Sequence, residues 1–309
     1  MTAMELIKII LGGLANVFLV LLLAPFFEGI LRKLTARIQS RQGPPLWQPY
    51  YDLLKLLGKE DLEAGESPLM QRGAACLALG SVLTVAWLVP MGFAPPLNAG
   101  GDIVLLIYLL GLCAIATLLA GLAAGSTYSL MGISREMMAV ITLEPLLVVA
   151  LVVGATHAGS LRLDRVLDGS VYGASGIPWS GLIMLAVMLL SFQAFVQRVP
   201  FDTAEAETEI MEGPVMEYSG PKLALLKYAR MAKLVIYSGL LVALFLPWGS
   251  ALPFPLGLAA FWLKVFGLVL LVTLVAATHA RYRIDQALRY YAALLGVAFL
   301  ALVLAVNGY

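Results

Sequence analysis

Apolar residues gather into eight runs, near residues 9–30, 73–94, 103–124, 137–157, 178–197, 232–248, 258–279 and 290–306. A helix needs roughly 20 consecutive apolar residues to cross the hydrocarbon core of a bilayer, and each run is close to that length. The pattern predicts an all-α, polytopic membrane protein with eight transmembrane helices. The first run has no A-x-A cleavage pattern at its end, so it is expected to be retained as a span rather than removed as a secretory signal. The spans do not recur at a fixed period, and no inverted pair of broken segments of the transporter kind is found.

Polar residues concentrate between the runs, and their signs give the orientation. The stretches after the first, third, fifth and seventh runs hold fifteen Lys and Arg, whereas the alternate stretches hold only Arg162 and Arg165. Basic residues resist translocation, so the fifteen face the cytoplasm and both termini lie on the non-cytoplasmic side. Two long cytoplasmic loops, 31–72 and 198–231, must then carry most of the chemistry or partner contact.

Composition narrows the classes further. Of the 309 residues 61% are hydrophobic and 13% charged. Soluble domains average about 45–50% apolar and about 25% charged, so no separate soluble domain fits and 1–309 reads as one integral membrane domain. A net charge of +1 excludes nucleic-acid binding through a global basic field. Cys76 and Cys113 lie in apolar runs, and His157 and His279 stand far apart. That inventory assembles neither an iron–sulfur cluster nor a structural zinc site.

The densest polar signal runs from Arg198 to Gly220, where Asp202, Glu205, Glu207, Glu209, Glu212 and Glu217 fall within sixteen residues. Asp202 with Glu205 three residues on reads as a capping box, and Gly213-Pro214 as a stop, so the spacing predicts a helix over 203–212. On such a helix Glu205, Glu209 and Glu212 share a face, and their repulsion would raise the proton affinity of at least one. Glu212 would sit in the last turn, where the helix dipole opposes negative charge, so local stability does not account for it. The plain alternative is a solvated acidic loop. Its place between two hydrophobic runs, opposite a basic loop, favours a proton-coupled set.

The basic loop contains Arg37, Gln39 and Arg41 followed by Gly43-Pro44-Pro45, which forces a turn. Arg37 and Arg41 could pair bidentately with the acids, or could simply anchor the first span. Residues 51–58 then read as a short amphipathic helix at the membrane interface. Glu28, Glu144 and Lys264 lie inside or at the edges of runs, and Arg135-Glu136 precedes the fourth. A charge near the bilayer centre costs at least about 2.5–3.5 kcal/mol, which makes Glu144 the leading intramembrane candidate. Glu28 and Lys264 are close enough to span ends to snorkel. Arg281, Arg283 and Asp285 form a charged corner suited to packing and docking. No H-E-x-x-H, G-x-x-x-x-G-K-[ST] or G-x-S-x-G motif is present, so no catalytic residue is expected in this chain.

Taken together, Arg37-x-Gln39-x-Arg41-x-Gly43-Pro44, Pro200-Phe201-Asp202-x-x-Glu205-Ala206-Glu207-x-Glu209 and Glu217-Tyr218-Ser219-Gly220 make the chain resemble subunit 1 of respiratory complex I. The resemblance runs through nearly the whole chain. Glu212-Gly213-Pro214 stands where complex I proteins usually read Ala-Gly-Phe. With Gly132-x-Ser134-Arg135-Glu136, Leu143-Glu144-Pro145 and Ala280-Arg281-x-Arg283, it resembles the membrane anchor subunit of energy-converting [NiFe] hydrogenases and formate hydrogenlyases.

That resemblance implies that the cytoplasmic loops grip a peripheral arm made of a [4Fe-4S] small subunit and a NiFe large subunit. It also implies antiporter-like membrane neighbours and no cofactor in this chain itself. Proton coupling would then fall to Glu144, Asp202, Glu205, Glu207, Glu209, Glu212 and Glu217. Docking and counter-charge would fall to Arg37, Gln39, Arg41, Arg135, Glu136, Tyr218, Arg281 and Arg283. Two rival expectations are a quinone-site subunit of complex I and a stand-alone ion-coupled transporter.

Overall fold

The computed structural model describes residues 3–62, 67–93, 101–167, 178–246, 248–249, 252–253 and 255–308, with only the backbone for 3–8, 207 and 208. It is all-helical, and the described residues contain no strand, only an isolated bridge between Asp102 and Arg162. In chain order the helices are α1 (Ala3–Ile38), α2 (Gln48–Leu57), α3 (Pro68–Leu88), α4 (Ile103–Ala124), α5 (Thr127–Ala158) and α6 (Leu163–Val166). There follow α7 (Trp179–Phe195), α8 (Glu207–Ile210), α9 (Gly220–Phe245), α10 (Leu256–Thr278) and α11 (Ile284–Val306). Seven of these are long and apolar enough to cross a membrane, and α7, with 17 residues, is the apolar helix that falls short. At 1.5 Å per residue α7 spans about 25 Å.

Helix α9 is the axis of the bundle. About 83% of its apolar window is buried, against 28% for α1, α10 and α11, which keep broad faces for lipid or neighbours. Helices α1 and α3 pack on α9, α3 on α4, and α11 on α5 and α7. Such burial leaves little of α9 able to face lipid.

Three helices run furthest beyond the apolar runs that announced them, and the extra turns matter most for the site. Helix α5 begins ten residues before its expected start because Ser126 caps it, accepting from the Ser129 N–H at 3.2 Å. Helix α9 begins twelve residues before its expected start, with Pro221 in its first turn, so Lys222, Lys227 and Arg230 ride on a helix rather than in a loop. At 36 residues α1 is about 54 Å long, well beyond a hydrocarbon core of about 30 Å. Its last turns therefore stand in the same region as the early turns of α5 and α9.

The expected helix over 203–212 is not formed. Residues 203–205 turn, α8 occupies only Glu207–Ile210, and Gly213–Val215 makes a 3-10 turn. Ala206, not Asp202, precedes α8, so the expected capping box is absent as well. Met211 and Glu212 both take left-handed backbone, φ 48° and 66°, which reverses the chain there. What fixes the reversal is close packing: a Cβ on Gly132 of α5 would lie 2.6 Å from Pro214 Cδ and 3.1 Å from the Ala204 carbonyl oxygen. Pro214 thus sits in a notch that only glycine leaves open.

Candidate functional site

The C-terminal end of α1 and the N-terminal ends of α5 and α9 enclose a charged chamber, closed on one side by the 196–219 loop. Its outer part is a cavity of about 420 Å³ lined by Glu28, Arg32, Arg198, Asp202, Glu205, Glu212, Lys227, Arg230 and Arg281 together with four apolar residues. Its inner part is a narrow cavity of about 40 Å³ that reaches Glu136 and Glu144. Asp202 and Glu205 line both cavities. The two parts are therefore joined by carboxylates.

Glu28, Asp202 and Glu205 at the chamber wall are each met by an arginine from a distant part of the chain, and Glu136 by a glutamine. Glu28, buried on α1, accepts from Arg32 Nε at 3.2 Å and also pairs with Arg198. Arg32 reaches on to Asp52 of α2 at 3.0 Å, and Gln48 donates to the other Asp52 oxygen at 2.9 Å. Arg230 pairs with Glu205 and donates to the Gln197 carbonyl at 3.3 Å. Gln197 in turn donates to Glu136, which is 4% exposed. Arg281 holds Asp202 at 3.0 Å, and Arg135 holds Glu209 at 2.5 Å. Buried charges are tolerated only when paired in this way.

Consequently the repulsion expected among Glu205, Glu209 and Glu212 does not arise. Without a shared helix face, Glu205 turns to Arg230, Glu209 to Arg135, and Glu212 lines the outer cavity. The hydrogen bond from Arg135 holds the Glu209 carboxyl below its ordinary value, so the rise expected for at least one of the three is not found there. The raised proton affinity falls instead on Asp202. Burial pushes its carboxyl up and outweighs the pull of Arg230, Arg281 and Arg198. Among the described residues only one of its oxygens is satisfied, since Oδ1 is buried with no hydrogen-bond partner there.

Arg37 and Arg41 do not meet these acids. Arg37, Gln39 and Arg41 are all exposed, and neither arginine pairs with a carboxylate among the described residues. Glu217 is half-buried without an ion pair among those residues, and the side chain of Glu207 lies outside the described part. Tyr218 is buried and donates to the Ala120 carbonyl of α4 at 2.7 Å, and burial raises its phenol to about 12. Arg283 is exposed at the start of α11, where its N–H donates to Gln286.

Glu144 is half-buried and touches both sides of α5. Inward it lines the narrow cavity; outward it lines an open apolar groove with Ile141, Pro145, Val148, Phe299 and Leu302. Pro145 has no N–H to offer the Ile141 carbonyl, so the helix backbone is also polar at this point. Four groups of the chamber escaped sequence reasoning. Glu28 stood as a span-edge residue, Arg198 and Arg230 counted only toward orientation, and Lys233, which lines the narrow cavity, lay inside an apolar run. Lys233 follows Arg230 by three residues, which puts both on one side of α9 and could have been noticed. Lys264, by contrast, reaches back to the Leu246 carbonyl at 2.6 Å and to that of Trp248, tying α10 to the end of α9.

The segments that follow α2 and precede α9 are clasped together. Leu62 N–H donates to Ser219 Oγ at 3.1 Å, and buried Lys222 lies 3.1 Å from Asp61 Oδ1, a charge contact without hydrogen-bond alignment. Gly220, at φ 54°, leaves room for the Glu60 carbonyl, which a Cβ would approach to 2.6 Å.

The NADH dehydrogenase family model matches residues 11–306 of this chain. The chain belongs to that family. Within it, the chain is 36% identical over 285 residues to hydrogenase-4 component C of Escherichia coli (strain K12), covering 89% of each. It is 33% identical to formate hydrogenlyase subunit 4 of the same organism, across 95% of this chain and 98% of the relative. An NADH-quinone oxidoreductase relative from Rubrobacter xylanophilus is 32% identical, across 90% and 88%. Among solved structures, a chain of the membrane-bound sulfane sulfur reductase, an archaeal respiratory membrane complex, superposes with a TM-score of 0.86 at 26% identity, over 96% of this chain and 99% of that one. With seven helices among the described residues long and apolar enough to cross a membrane, this family member is a multi-pass membrane protein. Every charged group of the chamber lies within the matched region, 11–306.

Proposed function

We propose that this chain is the membrane subunit of a group 4 energy-converting [NiFe] hydrogenase complex of the formate hydrogenlyase type, located in the inner cell membrane. In this reading it anchors a peripheral arm holding the [4Fe-4S] and NiFe centres and couples electron transfer there to proton or sodium movement through antiporter-like neighbours. The similarity to hydrogenase-4 component C and formate hydrogenlyase subunit 4 supports the complex type. One observation carries the coupling role: an unbroken series of ionisable groups leads from the 420 Å³ outer cavity to Glu144 in the middle of α5.

The centres supply electrons when the arm is bound, and this chain's own work is electrostatic. A change of charge at the mouth of the outer cavity alters the balance between Arg198, Arg230, Arg281 and their carboxylates. Asp202, whose proton affinity is already raised, takes or releases a proton at its carboxylate oxygen. Glu136, tethered to Gln197, and then Glu144 carry the change inward. A shift of one pKa unit corresponds to about 1.4 kcal/mol, so modest field changes suffice.

Replacing Glu144 by Gln in the assembled complex should leave assembly and electron transfer measurable while abolishing redox-driven ion movement into liposomes. Unchanged ion movement would reject the role. The same reading includes eight spans, with the bilayer thinned locally around the short α7, and both termini outside the cytoplasm. Binding of a quinone is disfavoured by the lining of the outer cavity, where nine of thirteen residues are ionisable.

A further inference from the structure

We infer that Lys233 makes the inner cavity a path for protons that rejects sodium; this rests on the coupling role proposed above and names the ion. Five ionisable side chains line that cavity besides its tyrosines, and four are acids: Glu136, Glu144, Asp202 and Glu205. Lys233 is the fifth. Carboxylate groups gathered in a space closed to bulk water draw in a hard cation, because such ions take oxygen ligands and buried negative charge needs an opposite charge nearby. Here a tethered ammonium meets that need from within the chain.

Three features keep the ammonium in place and the path narrow. Lys233 is half-buried on α9, the most enclosed helix, and its Nζ lies 5.8 Å from the centre of the Tyr237 ring, one turn further on. Glu144 is seated against α4, where a Cβ on Gly111 would come within 2.7 Å of its Oε1, so only glycine at that position leaves the carboxylate its place beside the cavity. The remaining space, about 40 Å³, admits about three water molecules. Those waters, with the carboxylates and the ammonium as partners, can pass a proton from the Asp202 side to Glu144. The proton that arrives at a carboxylate oxygen on one side is matched by one released on the other, and Lys233 ends with the protons it began with. A sodium ion would have to displace the waters and stand beside a fixed positive charge.

The test uses the complete membrane complex and infrared difference spectra recorded on adding sodium chloride, with potassium chloride as control. The carboxyl bands of Glu136 and Glu144 are identified by their loss in Glu136→Gln and Glu144→Gln. Sodium should leave both bands unmoved in the native complex and in Lys233→Arg, and should shift them in Lys233→Gln, whose redox-driven proton movement should fall at least tenfold. A sodium-induced shift in the native complex would overturn the inference, and so would an assembled Lys233→Gln complex whose bands still ignore sodium. If Lys233→Gln does not assemble, the native complex and Lys233→Arg still decide, since both must ignore sodium. Absence of any redox-driven ion movement by the native complex would instead overturn the coupling role itself, which the spectra do not presuppose.

Discussion

Glu28 illustrates how much depends on single charges here. It is 3% exposed and is held by Arg32 and Arg198, which come from its own helix and from 170 residues away. Removing one member of a buried ion pair typically costs about 3–5 kcal/mol, because the partner's charge is left uncompensated. Glu28→Ala should therefore lower the thermal unfolding midpoint of the detergent-solubilised protein by several degrees, whereas exposed Glu60→Ala should leave it nearly unchanged. Glu209 makes the contrasting case. Its carboxyl is held below the ordinary value by Arg135, so the clamp between them is complete above about pH 4.5 and is lost as the pH falls through the depressed folded value. Hydrogen-exchange protection of residues 206–212, corrected for the intrinsic rate, should fall on acidification below that range, and Arg135→Gln should remove this pH dependence of protection. Asp202 has the reverse sign, since burial raises it and its ionised form opposes folding once the pH exceeds the ordinary aspartate value. Asp202→Asn should accordingly flatten the decline in stability that the native protein shows as pH rises through the acidic range.

Elements behave according to where their polar residues point. At the notch between α5 and the 3-10 turn, Gly132→Ala would place a methyl group 2.6 Å from Pro214 Cδ. Overpacking of this kind costs about 1–3 kcal/mol, and the expected outcome is faster proteolysis within 203–215 with the spans left intact. The apolar runs were readable because a bilayer demands length and hydrophobicity before anything else. What the sequence concealed were the amphipathic turns that lead into α5 and α9. Glu136, Lys227 and Arg230 look like loop charges until the chamber they face is known. The acid segment misled for a related reason. Its local spacing favoured a helix, but arginines at 135, 230 and 281 drew its carboxylates in different directions, and tertiary pairing overrode propensity. Such partners lie from 25 to 79 positions away, a separation that no local pattern records.

For the molecule as a whole, the lopsided distribution of Lys and Arg and the overlong α1, α5 and α9 point to the same side. The long helices raise charged turns beyond the apolar slab, and the chamber forms where those turns meet. If that side is cytoplasmic, a cysteine placed at position 2 or appended after 309 should react with a membrane-impermeant maleimide added outside intact cells, and one at position 41 should not. Labelling with the opposite sidedness would invert the whole arrangement. The most enclosed helix, α9, begins at the clasp, where Lys222 meets Asp61 and Ser219 meets Leu62.

That clasp bears on any attempt to build hybrids between relatives. Residues 59–62 and 217–222 are remote in the chain yet behave as a lock and its key, so a graft that transfers one without the other would bring together halves shaped for different mates. Exchanging both together should yield a chain that accumulates in the membrane, while exchanging either alone should be cleared by quality-control proteases.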